Sequence, residues 1–259
     1  MAETVESRPS RTMWSLLDCT THRPWPLPSR PWIMAQSWHD LLFAHWEVDA
    51  AELRPHIPAK LELDTFEGKA WLGVVPFRMS GVRLRWTPAL PWLSAFPELN
   101  VRTYVTAQEK PGVWFFSLDA ANAVAVATAR LSFHLPYFHA RMTCKQVDGW
   151  IQYKSERVHP GAPGASFEAR YRPIGNHFEA QRGTLAHFLT ERYCLYAAAG
   201  ERIYRGEIHH PAWRLQSAEA EIAKNSMAEG SGLALSAKPP LLHFAERQDM
   251  VAWAPQRVV

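Results

Sequence analysis

The residues best suited to chemistry in this sequence are a glutamate and an arginine four positions apart. Glu98 and Arg102 interrupt the apolar segment 95–105, which otherwise has the pattern of a buried β-strand. Side chains at this spacing share one face of a strand, together with Asn100 and Tyr104. Because a charge removed from water is costly unless it is paired, the segment predicts either one wall of a pocket or a structural ion pair at a sheet edge.

Other catalytic patterns are missing from the sequence. It contains no G-x-S-x-G turn for a nucleophilic serine and no glycine-rich nucleotide-binding fingerprint. His209 and His210 are adjacent and would face opposite sides of a strand, so they are not expected to share a metal ion. We therefore expect neither a metal nor a cofactor.

Composition narrows the class of protein. The formal net charge is +3 and the 28 lysines and arginines are dispersed, which argues against nucleic-acid binding. Three separated cysteines without a C-x-x-C pair indicate reduced thiols. No apolar run is long enough to cross a bilayer, and charges interrupt the N-terminal region where a secretory signal would lie. These features predict a cytoplasmic protein that does not bind membranes.

The pattern along the chain predicts one domain rich in strands. Residues 1–30 form a Pro/Arg-rich extension that is expected to be disordered or to lie across the domain, which spans 31–250 and precedes a tail at 251–259. Strands with hairpin turns recur through the middle of the chain and indicate a barrel or sandwich. Strands are expected at 41–46, 70–77, 99–105, 112–119, 140–143, 149–154 and 166–171, and helices at 49–54, 121–131 and 184–198.

Several sequence motifs between about residues 32 and 245 carry a family resemblance. They are LRPHIP at 53–58, WLGVVPF at 71–77, FPELNVRTY at 96–104, GVWFFSLD at 112–119, LPYF at 135–138, ERYCLY at 191–196 and IHHP at 208–211. Together they resemble the YqjF-like DUF2071 family, which has no established activity. That family is similar, more remotely, to acetoacetate decarboxylase. The resemblance implies a mainly β (α+β) fold, a closed antiparallel β-barrel with a few flanking helices.

The same resemblance suggests where a site would lie. Acetoacetate decarboxylase uses a Schiff-base lysine with a second lysine, a glutamate and an arginine, and the lysine works because an apolar pocket lowers its pKa. The alignment places Glu98 on that glutamate, Tyr137 and Phe138 on the two lysines, His39 near the arginine and Trp71 on a second carboxylate. With tyrosine at 137, Schiff-base decarboxylation is not expected.

Two functions of different class remain open. In the first, the protein is an enzyme, a lyase, isomerase or hydrolase acting on a small carbonyl or carboxylate compound. Glu98 would then be the general acid or base, Arg102 would bind an anionic group, and Tyr137 or His39 would donate to an oxyanion. In the second, the same cavity binds a small ligand without turnover, as a sensor or carrier.

The remaining site predictions apply to both functions. Ligand contacts are expected from His39, Trp71, Asn100, Tyr104 and Phe138, with supporting roles for His209, His210 and Trp213. The ionisation of Glu98 separates the two functions, because pairing with Arg102 would depress its pKa whereas burial among aromatic rings would raise it. The expected partner is a small molecule, and the resemblance also suggests a homo-oligomer.

Overall fold

A computed structural model describes residues 16–90 and 93–259 of the chain. In this part of the chain, thirteen strands join in one sheet. The strands are β1 (Met34–Val48), β2 (Glu62–Leu63), β3 (Ala70–Leu84), β4 (Phe96–Ala107), β5 (Lys110–Ala120), β6 (Tyr137–Val147), β7 (Trp150–Arg157), β8 (Ser166–Phe178), β9 (Cys194–Ala199), β10 (Arg202–His209), β11 (Leu215–Asn225), β12 (Leu241–Ala252) and β13 (Gln256–Arg257). The helices are α1 (Ala50–Leu53), α2 (Ala123–Phe133) and α3 (Leu185–Thr190).

Two extra strand pairings close the sheet on itself. The order runs β13-β10-β9-β5-β6-β7-β8-β11-β12-β1-β3-β4-β2, and β4 also pairs with β5 while β10 also pairs with β12. The pairings trace a larger ring through β6, β7, β8 and β11 and a smaller ring through β9 and β10. The strands β12, β1, β3, β4 and β5 belong to both rings. The predicted mainly β fold is confirmed, although β5 pairs in parallel with both β6 and β9.

The strands shared by the two rings bury both of their faces. Successive side chains of a strand alternate between faces, and on β4 the residues Leu99, Val101 and Val105 join the largest apolar cluster, which contains Tyr153 of β7 and Phe167 of β8. The alternate residues of β4, beginning with Glu98, point the other way. A strand with two buried faces can therefore carry polar side chains on one of them while the opposite face packs the main core.

Local sequence explains the short helices and turns. The Asp49 side chain accepts a hydrogen bond from the backbone N–H of Ala51 and begins α1, as its N-cap position predicts. The helix predicted at 121–131 is confirmed as α2, which ends at His134 in the left-handed region. The β4–β5 turn lies at Gln108 and Glu109, both with positive φ, slightly before the position that its proline and glycine predicted.

The helix predicted at 184–198 is wrong over its second half. Only α3 is helical, and Cys194–Ala199 is instead strand β9, which pairs with β10 and with β5. Tyrosine and cysteine have weak helix propensity, so the tertiary pairing decides the local structure. Gly200, expected to cap that helix, has φ of 59° in the turn between β9 and β10.

The ends of the described chain are tied to the domain. From residue 16 onward the N-terminal extension packs on β10, where Arg23 donates to the Ile208 carbonyl at 2.8 Å and Trp25 donates to Glu207 at 2.8 Å. Residues 1–15 lie outside the described part. Near the C-terminus, Tyr204 and Arg205 of β10 pair with β13. Within the described residues, no helix is both long and apolar enough to cross a membrane.

Candidate functional site

Glu98 is a buried carboxyl group on β4. It lies on the face of the strand opposite to the one that packs the main core. It lies on β4 opposite Phe77 of β3 and Ala120 of β5, and only 3% of the residue is exposed. The Tyr137 hydroxyl donates to Glu98 Oε2 at 3.0 Å, and the Tyr153 hydroxyl donates to the Glu98 carbonyl at 2.7 Å. One tyrosine thus holds the side chain and another holds the backbone.

Burial dominates the acidity of Glu98. Removal from water raises the pKa of the carboxyl to about 8, the Tyr137 hydrogen bond opposes that rise, and nearby Asp119 adds to it. Burial and Glu98 together raise the pKa of the Tyr137 hydroxyl well above its ordinary value, so this tyrosine keeps its proton. No cation among the described residues is a source of the Glu98 shift, and Arg102 does not pair with it.

Arg102 lies on the same face of β4 and is partly buried. Its Nη2 donates to the Leu189 carbonyl at 3.1 Å. The guanidinium carbon lies 5.3 Å from the centre of the Phe43 ring and 5.8 Å from that of Tyr104. The buried Nε has no hydrogen-bond partner.

A histidine that sequence reasoning missed belongs to this region. His45 is fully buried, its Nε2 lies 2.7 Å from the Tyr104 hydroxyl, and that hydroxyl also donates to the Leu189 carbonyl at 2.7 Å. Burial first, and then Arg102, lower the pKa of His45 well below its ordinary value, so the ring is neutral. The alternation of Phe43 and His45 against Leu42 and Ala44 on β1 was the signal that could have found it.

Aromatic rings connect the Glu98 and Arg102 ends of the face. Trp38 stacks on Trp213 with ring centres 5.9 Å apart, and it also meets the Phe77 ring at 6.1 Å. Phe43 meets Trp213 edge to face at 5.0 Å. Since Phe77 pairs with Glu98 and Phe43 lies under Arg102, an apolar wall runs between the acid and the cation.

Some of the buried polar atoms without partners belong to residues on this side of the shared strands. They include Asn100 Oδ1, Arg102 Nε, His45 Nδ1, Trp71 Nε1 and Trp213 Nε1. A buried polar group left without a hydrogen bond is costly, and native proteins keep few of them. Of the residues predicted from the sequence, Asn100 and Tyr104 share the face of β4 with Glu98 and Arg102. Trp71 packs against Tyr104 and Leu189.

The structure does not bring His39 or Phe138 to Glu98. His39 Nε2 lies 2.7 Å from the Ser80 hydroxyl, and burial and Arg78 lower its pKa. Phe138 packs under the guanidinium of Arg157 at 4.2 Å. Trp38 and Tyr137, their neighbours in the chain, point to the site side, so these two residues point away from it. Their placement gives no support to the ligand contacts predicted for them.

The residues predicted to have supporting roles fall into two environments. His210 stacks on Tyr193 at 4.7 Å and meets the Trp213 ring at 5.2 Å, so both belong to the aromatic side. His209 instead faces the N-terminal segment, with Nε2 2.8 Å from the Leu16 carbonyl. Burial lowers the pKa of each histidine to about 4, which leaves both neutral.

None of the lysine side chains has the buried amine that Schiff-base chemistry needs. All seven lysines lie in the described part of the chain, and all are exposed except the half-buried Lys110, which pairs with Glu207 at 2.9 Å. The Tyr137 position therefore has no substitute lysine nearby. Within residues 16–90 and 93–259, no group of three or more His, Cys, Asp or Glu side chains could hold a metal ion.

A surface cleft of about 480 Å³ lies elsewhere in the fold. Its lining includes Glu47, Asp49, Lys69, Leu235 and Lys238. None of the residues around Glu98 contributes to it. The cleft is bordered by exposed charges, including a pair between Lys69 and Glu47 at 3.0 Å, and it has no buried titratable group.

Comparisons with known proteins agree with the fold. The model of the DUF2071 family, described as "Uncharacterized conserved protein", matches residues 35–249. "Uncharacterized protein YqjF" of Bacillus subtilis (strain 168) is 47% identical over 227 residues, which cover 88% of this chain and 93% of that protein.

Three solved structures show the same architecture at low sequence identity. Acetoacetate decarboxylase from Legionella pneumophila has a TM-score of 0.60 at 14% identity and covers 98% of both chains. The enduracididine biosynthesis enzyme MppR, complexed with pyruvate, has a TM-score of 0.60 at 11% identity and covers 90% of this chain and 93% of its own. An acetoacetate decarboxylase-like enzyme from Sphingomonas wittichii RW1 has a TM-score of 0.59 at 13% identity, covering 93% and 98%. Likeness at these identities shows the fold alone.

Proposed function

Because this chain belongs to the DUF2071 family and has the acetoacetate decarboxylase-like fold, we propose that it is an enzyme that transfers a proton with Glu98. The substrate class is a small carbonyl or carboxylate compound, and the reaction is that of a lyase, isomerase or hydrolase without a Schiff base. Enzymes occur among the structural neighbours, as their names state. The fold by itself does not carry the function, so the argument rests on the site.

The observation that carries the proposal is the carboxyl of Glu98, buried without a cation. A general acid or base works best when its pKa lies near the working pH, and burial raises the pKa of Glu98 to about 8. At neutral pH most molecules hold the protonated acid, and a usable fraction holds the carboxylate. Glu98 can therefore give a proton to a carbonyl-derived oxygen or carbon, or remove a proton next to a carbonyl.

Tyr137 supports this chemistry with a proton that it keeps. Its hydroxyl donates to Glu98 at 3.0 Å, and burial together with the Glu98 charge holds its pKa well above the ordinary value. A hydroxyl in this state orients the carboxyl and stabilises the carboxylate that remains after proton transfer. A lysine at this position would instead place a cation beside Glu98, which would lower the pKa of the acid.

Binding without turnover is the second candidate, and the unpartnered polar atoms favour it. His45 Nδ1, Trp71 Nε1 and Trp213 Nε1 are buried beside aromatic rings and would gain partners from a bound ligand. Such atoms would recognise a small amphipathic molecule even if no proton moved. A sensor or carrier needs only this recognition.

One experiment separates the two candidates. Wild-type protein, Glu98→Gln and the control Glu221→Gln are screened for thermal stabilisation by small keto acids, carboxylates and neutral ketones, and each mixture is analysed by mass spectrometry. Glu221 is exposed and pairs with Arg170, so its substitution changes the charge of the chain away from the site. Conversion that is lost in Glu98→Gln but kept in Glu221→Gln supports the enzyme. Conversion that persists in Glu98→Gln contradicts it, and stabilisation of all three proteins without conversion favours binding.

A further inference from the structure

Arg102 is partly buried and, unlike the three fully buried arginines of the described residues, it faces no carboxylate. Arg157 pairs with Asp119 at 2.7 Å, Arg192 pairs with Asp64 at 2.6 Å, and Arg23 lies 3.8 Å from Glu207. No ion pair among the described residues includes Arg102, whose guanidinium has the Leu189 carbonyl and two aromatic rings as neighbours. A guanidinium is always charged and presents a planar fork that matches a carboxylate. Its environment thus lacks the anion that this group usually has.

The surroundings of Arg102 are closely packed and fix its position. Gly73 lies opposite Arg102 on β3, and a methyl group built there would come within 3.0 Å of His45 Cδ2 and 3.3 Å of Arg102 Cγ. The histidine and the arginine therefore pack over a position that only glycine leaves open. His45 is neutral, and Tyr104 joins it to the Leu189 carbonyl, which also receives the Arg102 donor. Arg192 also lies over the Tyr104 ring, at 4.7 Å, but it pairs with Asp64, so among the described residues at this end of the face Arg102 is the cation without a counter-ion.

Two nine-tenths-buried side chains near Arg102 also have unpartnered polar atoms. Asn100 is 6% exposed and its Oδ1 has no partner, while His45 is fully buried and its Nδ1 has none. Asn100 lies on β4 between Glu98 and Arg102 and faces the same side. The acid, the amide and the cation thus form a row along one strand, beside the wall that contains Phe43 and Trp213.

We propose that Arg102, with Asn100 and His45, is a subsite that binds the carboxylate of an organic acid whose body lies against Phe43 and Trp213. The inference rests on the proposed function only in placing the reacting carbonyl at Glu98. Four residues of strand separate the backbone positions of Glu98 and Arg102 by about 13 Å, and the two side chains do not pair. The carboxylate held by Arg102 is therefore an anchor several bonds from the reacting carbon, and it stays on the product.

The spacing defines the substrate class. Acids in which the carbonyl lies several carbons from the carboxylate fit both ends of the row, whereas 2-oxo acids place the two groups on neighbouring carbons. The subsite also makes the bound carboxylate a poor leaving group, because the guanidinium stabilises its negative charge. Release of carbon dioxide from the anchored group is not part of this chemistry.

The test measures binding of matched ligands by calorimetry in a low-chloride buffer. The probes are 6-oxoheptanoate, 2-oxoheptanoate and the neutral 2-heptanone, and the proteins are wild type, Arg102→Gln, Arg102→Lys and the control Arg141→Gln. Arg141 is exposed and pairs with Glu156, so its substitution removes the same charge from the surface. Wild type and Arg141→Gln should bind 6-oxoheptanoate about tenfold or more tighter than either other probe.

Each outcome decides the inference. In Arg102→Gln the preference for the acid over the ketone should disappear, and in Arg102→Lys it should be intermediate because an ammonium is a point charge without the planar fork. A preference that survives in Arg102→Gln, or wild type that binds no acid in the millimolar range, would overturn the subsite. Turnover that is lost in Glu98→Gln while Arg102 has no effect on acid binding would retain the proposed function and reject this inference. Acid binding that depends on Arg102, without turnover of any probe, would support the subsite and reject the proposed function.

Discussion

Glu98 and Asp119 are two buried carboxyl groups on neighbouring strands, and they differ in what faces them. Glu98 is 3% exposed and Asp119 is 0% exposed. Asp119 lies opposite Leu99, one position from Glu98, so the two side chains point to opposite faces of the sheet. Arg157 donates to Asp119 through Nε at 2.9 Å and Nη2 at 2.7 Å, whereas the Glu98 carboxyl accepts, among the described residues, only from the Tyr137 hydroxyl.

The difference separates a structural charge from a proton carrier. Burial raises the pKa of both groups, but for Asp119 the hydrogen bonds and the charge of Arg157 oppose the rise. For Glu98 only a neutral hydroxyl opposes it, and the pKa reaches about 8. Two carboxyl groups that are both buried therefore differ in acidity because one faces a guanidinium and the other faces a neutral hydroxyl.

Breaking the Asp119–Arg157 pair should give the largest effect. Arg157→Met leaves the Asp119 charge buried without its counter-ion, and we expect the free energy of unfolding to fall by about 3 to 5 kcal/mol in urea denaturation. The control Arg141→Met removes one partner of a pair whose side chains are 71% and 62% exposed, and it should cost less than about 1 kcal/mol. Equal losses in the two variants would mean that the Asp119 pair is not structural.

Glu98 should make the protein less stable as pH rises. In the unfolded chain its carboxyl ionises near the ordinary value of 4.5, and in the folded protein near 8. The folded state binds the extra proton between these two values, so the free energy of unfolding falls through this window by up to about 1.4 kcal/mol per pH unit. Below the window the penalty is absent, and above it the penalty no longer grows.

Glu98→Gln tests this slope because glutamine imitates the protonated acid and cannot ionise. The difference in free energy of unfolding between Glu98→Gln and wild type should grow in favour of the variant as pH rises through the window. Glu221→Gln, which changes an exposed carboxylate, should run parallel to wild type there. A difference between Glu98→Gln and wild type that does not vary with pH would show that Glu98 is already ionised in the folded protein.

Removing the Tyr137 hydroxyl should have a smaller effect on stability. Tyr137→Phe loses one hydrogen bond, which is worth about 1 kcal/mol. Because that bond favours the carboxylate, its loss should raise the pKa of Glu98 further and extend the pH window upward. Tyr171→Phe is the matched control, since the Tyr171 hydroxyl donates to the Asp40 carbonyl at 2.8 Å. A Tyr137→Phe variant with the pH dependence of wild type would remove Tyr137 from the site.

Phe138 should behave as part of the Asp119 region. Phe138→Leu removes the ring under the Arg157 guanidinium and should cost about 0.5 to 1 kcal/mol, the usual size of a cation–π contact. Ligand binding and the pH slope assigned to Glu98 should stay unchanged. Weaker binding in Phe138→Leu, measured with the ligand panel, would restore the contact that the sequence predicted.

The alternation of side chains along a strand predicted that Glu98 and Arg102 share one face of β4. It could not predict which side chains of other strands contact them. Glu98 and Arg102 face the same side as expected, but whether they pair depends on side-chain direction and on the bulge between β4 and β5 at Val101 and Arg102. Tyr137 reaches Glu98 from β6, a strand that the sequence places but cannot bring next to β4. His45 was not selected, because a lone histidine in an apolar strand carries no motif.

Tertiary pairing decides what local spacing cannot. The spacing of three or four residues between Leu185 and Tyr196 predicted a helix over 184–198, but the pairing of β9 with β5 and β10 makes its second half a strand. The alignment placed His39, Tyr137 and Phe138 at the site, and the structure turns His39 and Phe138 to the face opposite that of Trp38 and Tyr137. On a strand a shift of one residue reverses the face.

The most direct test measures the ionisation of Glu98 itself. Protein with ¹³C in the glutamate side-chain carboxyls is titrated by NMR, and the resonance missing from Glu98→Gln identifies Glu98. We predict a midpoint near pH 8 in the folded protein, while the exposed Glu221, whose pKa the Arg170 hydrogen bond lowers, titrates below its ordinary value of 4.5. A Glu98 midpoint at or below the ordinary value of 4.5 would mean that the carboxyl is charged at neutral pH, and it would contradict the proposed proton transfer.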